Sequence, residues 1–367
     1  MSRSSHQNDF FQTTFVTAPP SSGCRMQLFL LKILAVRADP VDASAVYVAQ
    51  SGGTVRKVIL ETGETAALYK GPTAPVTSIC FSPDGRTVFA GCWDKLIWSW
   101  DVASREPKFQ YEGHTDFVKS VTTTRLHGKD VLVSGGADAQ ILIFDISSGQ
   151  RLSVMKGHIK GIQDLMVDPL SLESDGPELV VFSAGSDREI RQFDISTGSK
   201  DLTGTDAILA HDTNVHKLFF DQDGDLWTAS ADRTSKCLVR EDGWKPNLTL
   251  THPDYVRDVV VYEQGGWVIT ACRDEEVRVW NRSTGQLYHT FSGHYEEVTG
   301  LVLQGSTVVS VGIDATIRRW SLRPEDLQIA VENAKKKPEV EEEKQENAEP
   351  MLTEEEEREL AELMGDD

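Results

Sequence analysis

Five histidines of this 367-residue chain, His114, His158, His211, His252 and His294, are each followed by a hydroxyl residue and then an aspartate. The partners are Ser134 and Asp138, Ser183 and Asp187, Thr228 and Asp232, Thr270 and Asp274, and Ser310 and Asp314. Serine, histidine and aspartate are the side chains of a nucleophilic triad, in which the imidazole takes the hydroxyl proton and the carboxylate orients the ring. Histidine and aspartate are equally a zinc ligand set. Both chemistries need one convergent site, whereas here the histidines recur at steps of 44, 53, 41 and 42 residues. No GxSxG, HExxH or GxxxxGK[ST] motif accompanies them, and the five cysteines include no CxxC pair. A His and an Asp repeated once per unit read as structural fastenings. An unpaired buried polar group costs ~1–3 kcal/mol, which mutual pairing avoids. The expectation is a non-catalytic protein with no metal and no cofactor.

A period near 40 to 45 residues marks an array of stacked units. Within a unit the apolar residues come in short alternating runs bounded by Gly, Asp and Ser, as in "VTSICFS", "TVFAGCW" and "KLIWSWD" between residues 76 and 101. Such runs are short strands joined by tight turns. Each unit is then a four-stranded sheet that must stack on its neighbours to cover its faces. A weaker unit without the His and Asp runs from Ile33 to Gly71, bringing the number of units to seven. The last unit supplies only three strands before Leu322. "DFFQTTFV" (Asp9 to Val16) is expected to add its outer strand, closing the ring and removing two free edges.

These residues resemble the WD-repeat family. In that family the His, the Ser or Thr, the Asp and a Trp of the third strand form one hydrogen-bonded set. His294, Ser310, Asp314 and Trp320 match it, as do His252, Thr270, Asp274 and Trp280. Phe144, Phe193 and Leu238 stand at the Trp position of three other units, and Asp94 and Trp100 match in a unit with Pro72 at the His position. In all six units the Asp precedes the aromatic position by six residues. The resemblance implies an all-β fold, a seven-bladed β-propeller over residues 28–323. Residues 1–27 would supply the closing strand and residues 324–367 an acidic tail.

The resemblance also implies where a partner would bind: at positions three and five after the His and at the residue before the Asp. Transferred here, those offsets single out Trp93, Phe117, Lys119, His216, Tyr255, Arg257 and Arg273 as candidate partner-binding residues. Aromatics and Arg around a concavity dominate interface energies. The basic members also stand out in a chain of formal net charge −20. That balance argues against direct nucleic-acid or membrane binding and points to other proteins, including basic or phosphorylated peptides. No apolar run reaches the ~20 residues of a bilayer span. Reduced, unpaired cysteines place the protein in the cytoplasm or nucleus.

Three functions follow from this reading. The first is an interaction scaffold or adaptor, the ring itself monomeric within a hetero-complex. The second is an escort for a basic client such as a ribosomal protein or histone, using the acidic tail. The third, a WD-repeat-fold hydrolase, has no motif behind it. "DQDGD" (Asp221 to Asp225) reads as a solvated turn. In the tail, "KKKPEVEEEKQENAEP" lacks apolar period and reads as a disordered linker. After it comes a short helix with Leu360, Leu363 and Met364 on one face, a motif that would dock on the ring or recruit a second protein, unless the acidic tail serves only solubility.

Overall fold

Runs of β-branched and aromatic residues such as Val76–Phe81 and Thr87–Cys92 alternate with turns that demand special backbone. Gly85 and Gly224 sit in such turns at φ of 69° and 81°, in the left-handed region where a Cβ is strained. The computed structural model describes residues 15–16, 31–173, 178–196, 200–202 and 207–346. Residues 1–322 form one unit and 323–367 a second.

The first unit is a seven-bladed β-propeller, built from seven antiparallel four-stranded sheets. From the inside outward, blade 1 is Ile33–Ala38, Ala45–Gln50, Thr54–Ile59 and Thr65–Tyr69. Blades 2 to 6 repeat that order with innermost strands Val76–Phe81, Val118–Leu126, Ile162–Val167, Val215–Phe220 and Val256–Tyr262. Blade 7 runs Val298–Gln304, Thr307–Gly312 and Thr316–Ser321, and its fourth strand is Phe15–Val16, facing Ile317 and Thr316. Of the expected closing segment, residues 9–14 lie outside the described residues.

Hydrophobic cores fill the spaces between blades. Val36 and Val46 of blade 1 pack with Val309, Val311 and Ile317 of blade 7, so the first and last blades share one core. Two hydrogen bonds span the same seam: Thr299 Oγ1 to the Ile33 carbonyl and Gln304 Nε2 to the Ala45 carbonyl, both 2.8 Å. The ring is therefore closed by packing as well as by strand pairing.

One irregularity recurs in every blade. The register of each innermost strand slips at its second residue, leaving Leu34, Thr77, Lys119, Gln163, His216, Arg257 and Thr299 out of the ladder. Bulges of this kind re-aim a side chain. All seven bulge residues line one cavity of about 210 Å³ ringed by the innermost strands.

In the second unit a helix spans Pro324–Glu346, with Glu325 and Asp326 in its first turn. This corrects the reading of residues 335–346 as disordered linker. Glu, Lys, Ala and Gln lack apolar period here, but they are strong helix formers, and they carry the helix through Pro338. Leu360, Leu363 and Met364 lie outside the described residues. No described helix is long and apolar enough to cross a membrane.

Candidate functional site

In four blades the repeated His and Asp are hydrogen-bonded to each other. In blade 7, His294 Nδ1 lies 2.9 Å from Asp314 and Nε2 2.8 Å from Ser310 Oγ, and the Trp320 indole donates to that hydroxyl at 2.8 Å. A carboxylate only accepts, so Nδ1 carries the proton and the donors run from Trp through Ser and His to Asp. Blades 3, 4 and 5 repeat the His contacts at 2.7–3.0 Å through His114, His158 and His211. Phe144, Phe193 and Leu238 bring no indole there and are simply buried. The backbone N–H after each of these histidines also donates to the aspartate, from Thr115, Ile159, Asp212 and Tyr295. Burial alone would raise the Asp314 carboxyl, yet the His294 and backbone hydrogen bonds hold it down at about 2. A hydroxyl occupied in this way, on a buried ring, has no access to a substrate.

Blade 6 departs from that pattern. His252 Nε2 meets Thr270 at 2.8 Å, but its Nδ1 donates to the Leu250 carbonyl at 3.1 Å rather than to Asp274. Asp274 instead takes a two-pronged contact from Arg278, at 3.0 and 2.7 Å. The physical reason is Pro253, which has no N–H to hold the carboxylate beneath the histidine. In blade 2, where Pro72 replaces the His, the Trp98 indole donates to Asp94 at 2.8 Å. Trp98 and Arg278 occupy the same place, four residues after the Asp.

At the rim of the cavity the candidate partner-binding residues form two aromatic–cation groups. Trp93 of blade 2 stacks on Phe117 of blade 3, centroids 4.9 Å apart at 14°, and Lys119 Nζ stands 5.4 Å over Trp93. In blade 6 the Arg273 guanidinium lies 5.2 Å over Tyr255. Trp93, Phe117 and Tyr255 keep 36–37 % of their surface exposed, large for aromatics that are not needed by the core. Arg257 pairs with Glu297 at 2.6 Å and, with Lys119, lines the cavity. Burial first and then the nearby Arg257 charge push the Lys119 ammonium below its usual range.

The blade geometry explains why these positions face outward. In blades 2 to 7 the residue before the Asp donates its N–H to the carbonyl of the residue just before the innermost strand, as Trp93 does to Pro75 and Arg273 to Tyr255. That bond ends the ladder and leaves both side chains beyond the last packed layer. His216 is a partial correction. Its Nδ1 donates to the Val256 carbonyl at 2.9 Å, so the residue fastens blade 5 to blade 6. Burial and the Arg257 charge hold it neutral, with a pKa of about 4. The offset of three after His294 also points to Glu297, and this is the residue that anchors Arg257.

Two clusters bring three ligating groups together among the described residues: His158, Asp187 and Glu189, and Asp221, Asp225 and Cys237. The first belongs to the blade 4 fastening. In the second, Asp221 is buried rather than solvated, because the Trp227 indole and the Arg282 guanidinium both donate to it at 2.9 Å. A guanidinium already balances that charge. Burial raises the Cys237 thiol to about 12, far from a thiolate ligand.

Comparison with known proteins gives a consistent placement. The family model described as "WD domain, G-beta repeat" matches residues 63–101, 105–145, 244–281 and 285–321. An uncharacterized WD repeat-containing protein of Schizosaccharomyces pombe is 35% identical over 272 residues, covering 72% of this chain and 71% of the relative. The nuclear distribution protein nudF of Aspergillus niger is 26% identical over 71% of this chain and 53% of its own length. The pre-mRNA-processing factor 19 homolog 2 of Arabidopsis thaliana is 25% identical over 54% of this chain and 37% of its own.

Proposed function

The chain belongs to the WD-repeat family, whose propellers generally act as protein-interaction scaffolds and are typically non-catalytic, and from that premise we propose that it is an adaptor subunit holding a partner peptide on the rim face. One observation carries the reading. Trp93 stacked on Phe117, and Arg273 over Tyr255, are an aromatic pair and a cation–π pair assembled where the fold itself requires no aromatic. Large, rigid, partly exposed side chains around a concavity are the residues that supply binding energy at small entropic cost. The buried free thiols Cys80, Cys92, Cys237 and Cys272 support a reducing compartment, cytoplasm or nucleus.

The test is quantitative affinity capture with the full chain, with Trp93→Ala/Phe117→Ala and with Tyr255→Ala/Arg273→Ala. Partners held by the rim should drop out of both variants, and thermal melts should stay within about 0.5 kcal/mol of the parent, as surface changes do. An unchanged partner set with folded variants would exclude this face.

A further inference from the structure

Most of the seven bulge residues have work inside the ring. Thr77, His216 and Thr299 donate to backbone carbonyls of the next blade, at 2.7, 2.9 and 2.8 Å. Gln163 donates to Ser186 Oγ at 2.6 Å, and Leu34 is apolar. The two that remain, Lys119 and Arg257, are both cations, and among the described residues neither bonds a neighbouring blade's backbone. Glu297 balances Arg257. Lys119 has no carboxylate within ion-pair distance among the described residues, and its ammonium stands 5.4 Å over the Trp93 ring. The carboxylates deeper in the cavity are engaged: Asp164 with Lys217 at 3.2 Å, and Asp258 with the Leu301 and Val259 amides at 2.8 Å. A chain of net charge −20 thus keeps two cations on one cavity wall near enough to repel each other, Arg257 paired with Glu297 and Lys119 drawn by the Asp116 charge without an ion pair among the described residues.

We propose that Lys119 and Arg257 form an anion socket that receives one carboxylate or phosphate side chain of the bound protein segment at the cavity mouth, beside Trp93. This rests on the reading of the rim as a peptide-binding face. Burial and then the Arg257 charge disfavour the Lys119 cation; an incoming anion offsets both, and it gains charge-assisted hydrogen bonds from the two cations that line the cavity. The overall negative charge disfavours the phosphates of nucleic acid, so the anion is taken to be a side chain of a protein.

The experiment uses the full chain against four immobilised ten-residue peptide libraries, randomised except for a central Glu, phosphoserine, Gln or Lys. Peptides with Glu or phosphoserine should be retained about tenfold or more over Gln, and Lys should be retained least. The two anionic arms then tell a carboxylate from a phosphate ligand. Lys119→Gln should abolish the preference, and Lys119→Arg should keep it. Trp93→Ala/Phe117→Ala should lower retention in all four libraries while leaving the ratio in place, so a failed socket and a failed rim give different results. Equal retention of Glu, phosphoserine and Gln by the parent, or a ratio unmoved in folded Lys119→Gln, would overturn the socket. No retention in any library would remove the rim reading and the socket with it. Lys119-dependent binding of a single-stranded oligonucleotide without any peptide would refute the protein assignment.

Discussion

In blade 7 the donors run from Trp320 through Ser310 and His294 to Asp314; in blade 6 they run from Trp280 through Thr270 to His252 and stop at the Leu250 carbonyl. The four residue types are the same, so something beside them decides. A side chain two residues before the Asp is not the cause. Cys272 stands there in blade 6 where blade 7 has Gly312, but blade 5 has Ser230 and still joins His211 to Asp232 at 2.8 Å. An acid two residues after the Asp is not the cause either. Glu276 has a counterpart in Glu189 of blade 4, where His158 and Asp187 remain paired at 3.0 Å. Nor is the arginine four residues after the Asp, since Arg191 and Arg318 occupy that place in blades 4 and 7. Pro253 has no counterpart after the other four histidines, and it alone lacks the N–H that steadies the carboxylate. A fastening depends on its flanking donors as much as on its named members.

The largest way to break this contrast is Asp274→Ala. Arg278 is only 10 % exposed in its side chain, and removing its carboxylate leaves a buried guanidinium without its two-pronged partner. The expected loss is about 3–5 kcal/mol in urea melts. Arg278→Met on top of it should recover most of that, because the orphaned charge goes too. A double variant no better than the single would mean that Asp274 does not serve Arg278.

Asp314→Ala comes next, with an expected loss of about 1–3 kcal/mol, since it orphans the His294 ring and the Tyr295 amide rather than a permanent charge. Arg318→Met should give no rescue in that blade. Equal rescue in both blades would erase the distinction drawn between them.

Acid sharpens the contrast by a smaller amount. Burial, helped by the Arg278 charge, lowers His252 to about 4, against roughly 6.5 for an unfolded imidazole. Below pH 6.5 the unfolded chain binds the proton more readily, so stability falls as pH drops toward 4 and flattens beneath it. His216, also near 4, adds to the same window. At pH 5.5 each should account for about 1 kcal/mol. His252→Gln should therefore give a shallower slope of stability against pH between 7 and 5. A slope equal to the parent's would show that His252 does not titrate as a buried neutral ring.

Much of the ring could be read from the chain because its determinants are local and repeated. Alternation gives strands, the His-to-His period gives blades, and the six-residue step from Asp to aromatic gives the strand between them. What escaped depends on pairing across blades. The bulge is a register property, so nothing in "VHKLFF" announces that His216 leaves the ladder and reaches Val256. The stack of Trp93 on Phe117 joins residues 24 apart in sequence from different sheets, and each is an isolated surface aromatic until the blades are set side by side. Residues 335–346 misled for another reason: a segment rich in Glu and Lys without apolar period has the composition of a disordered linker and also of a solvated helix. The missing N–H of Pro253, by contrast, is a local feature written in the sequence.

The smallest expected effect is the most discriminating. Pro253→Thr returns an N–H to the position that donates to the aspartate in blades 3, 4, 5 and 7. Replacing proline frees the unfolded chain by about 0.4–1 kcal/mol, and one new hydrogen bond offsets about 0.5–1.5 kcal/mol. Stability should therefore move by less than about 1 kcal/mol in either direction, and a melt alone decides nothing. The ring of His252 is the sensitive reporter. With the carboxylate held in place, Nδ1 should turn from the Leu250 carbonyl to Asp274, and Arg278 should lose one prong of its contact. A carboxylate against Nδ1 favours the protonated imidazole, so the His252 pKa should rise from about 4. Following the ring resonances of His252 by NMR through a pH titration reads that directly. A pKa that stays near 4, with the Nδ1 resonance of a ring bound to a backbone carbonyl, would remove Pro253 as the cause and return the difference between blades 6 and 7 to the packing around Arg278.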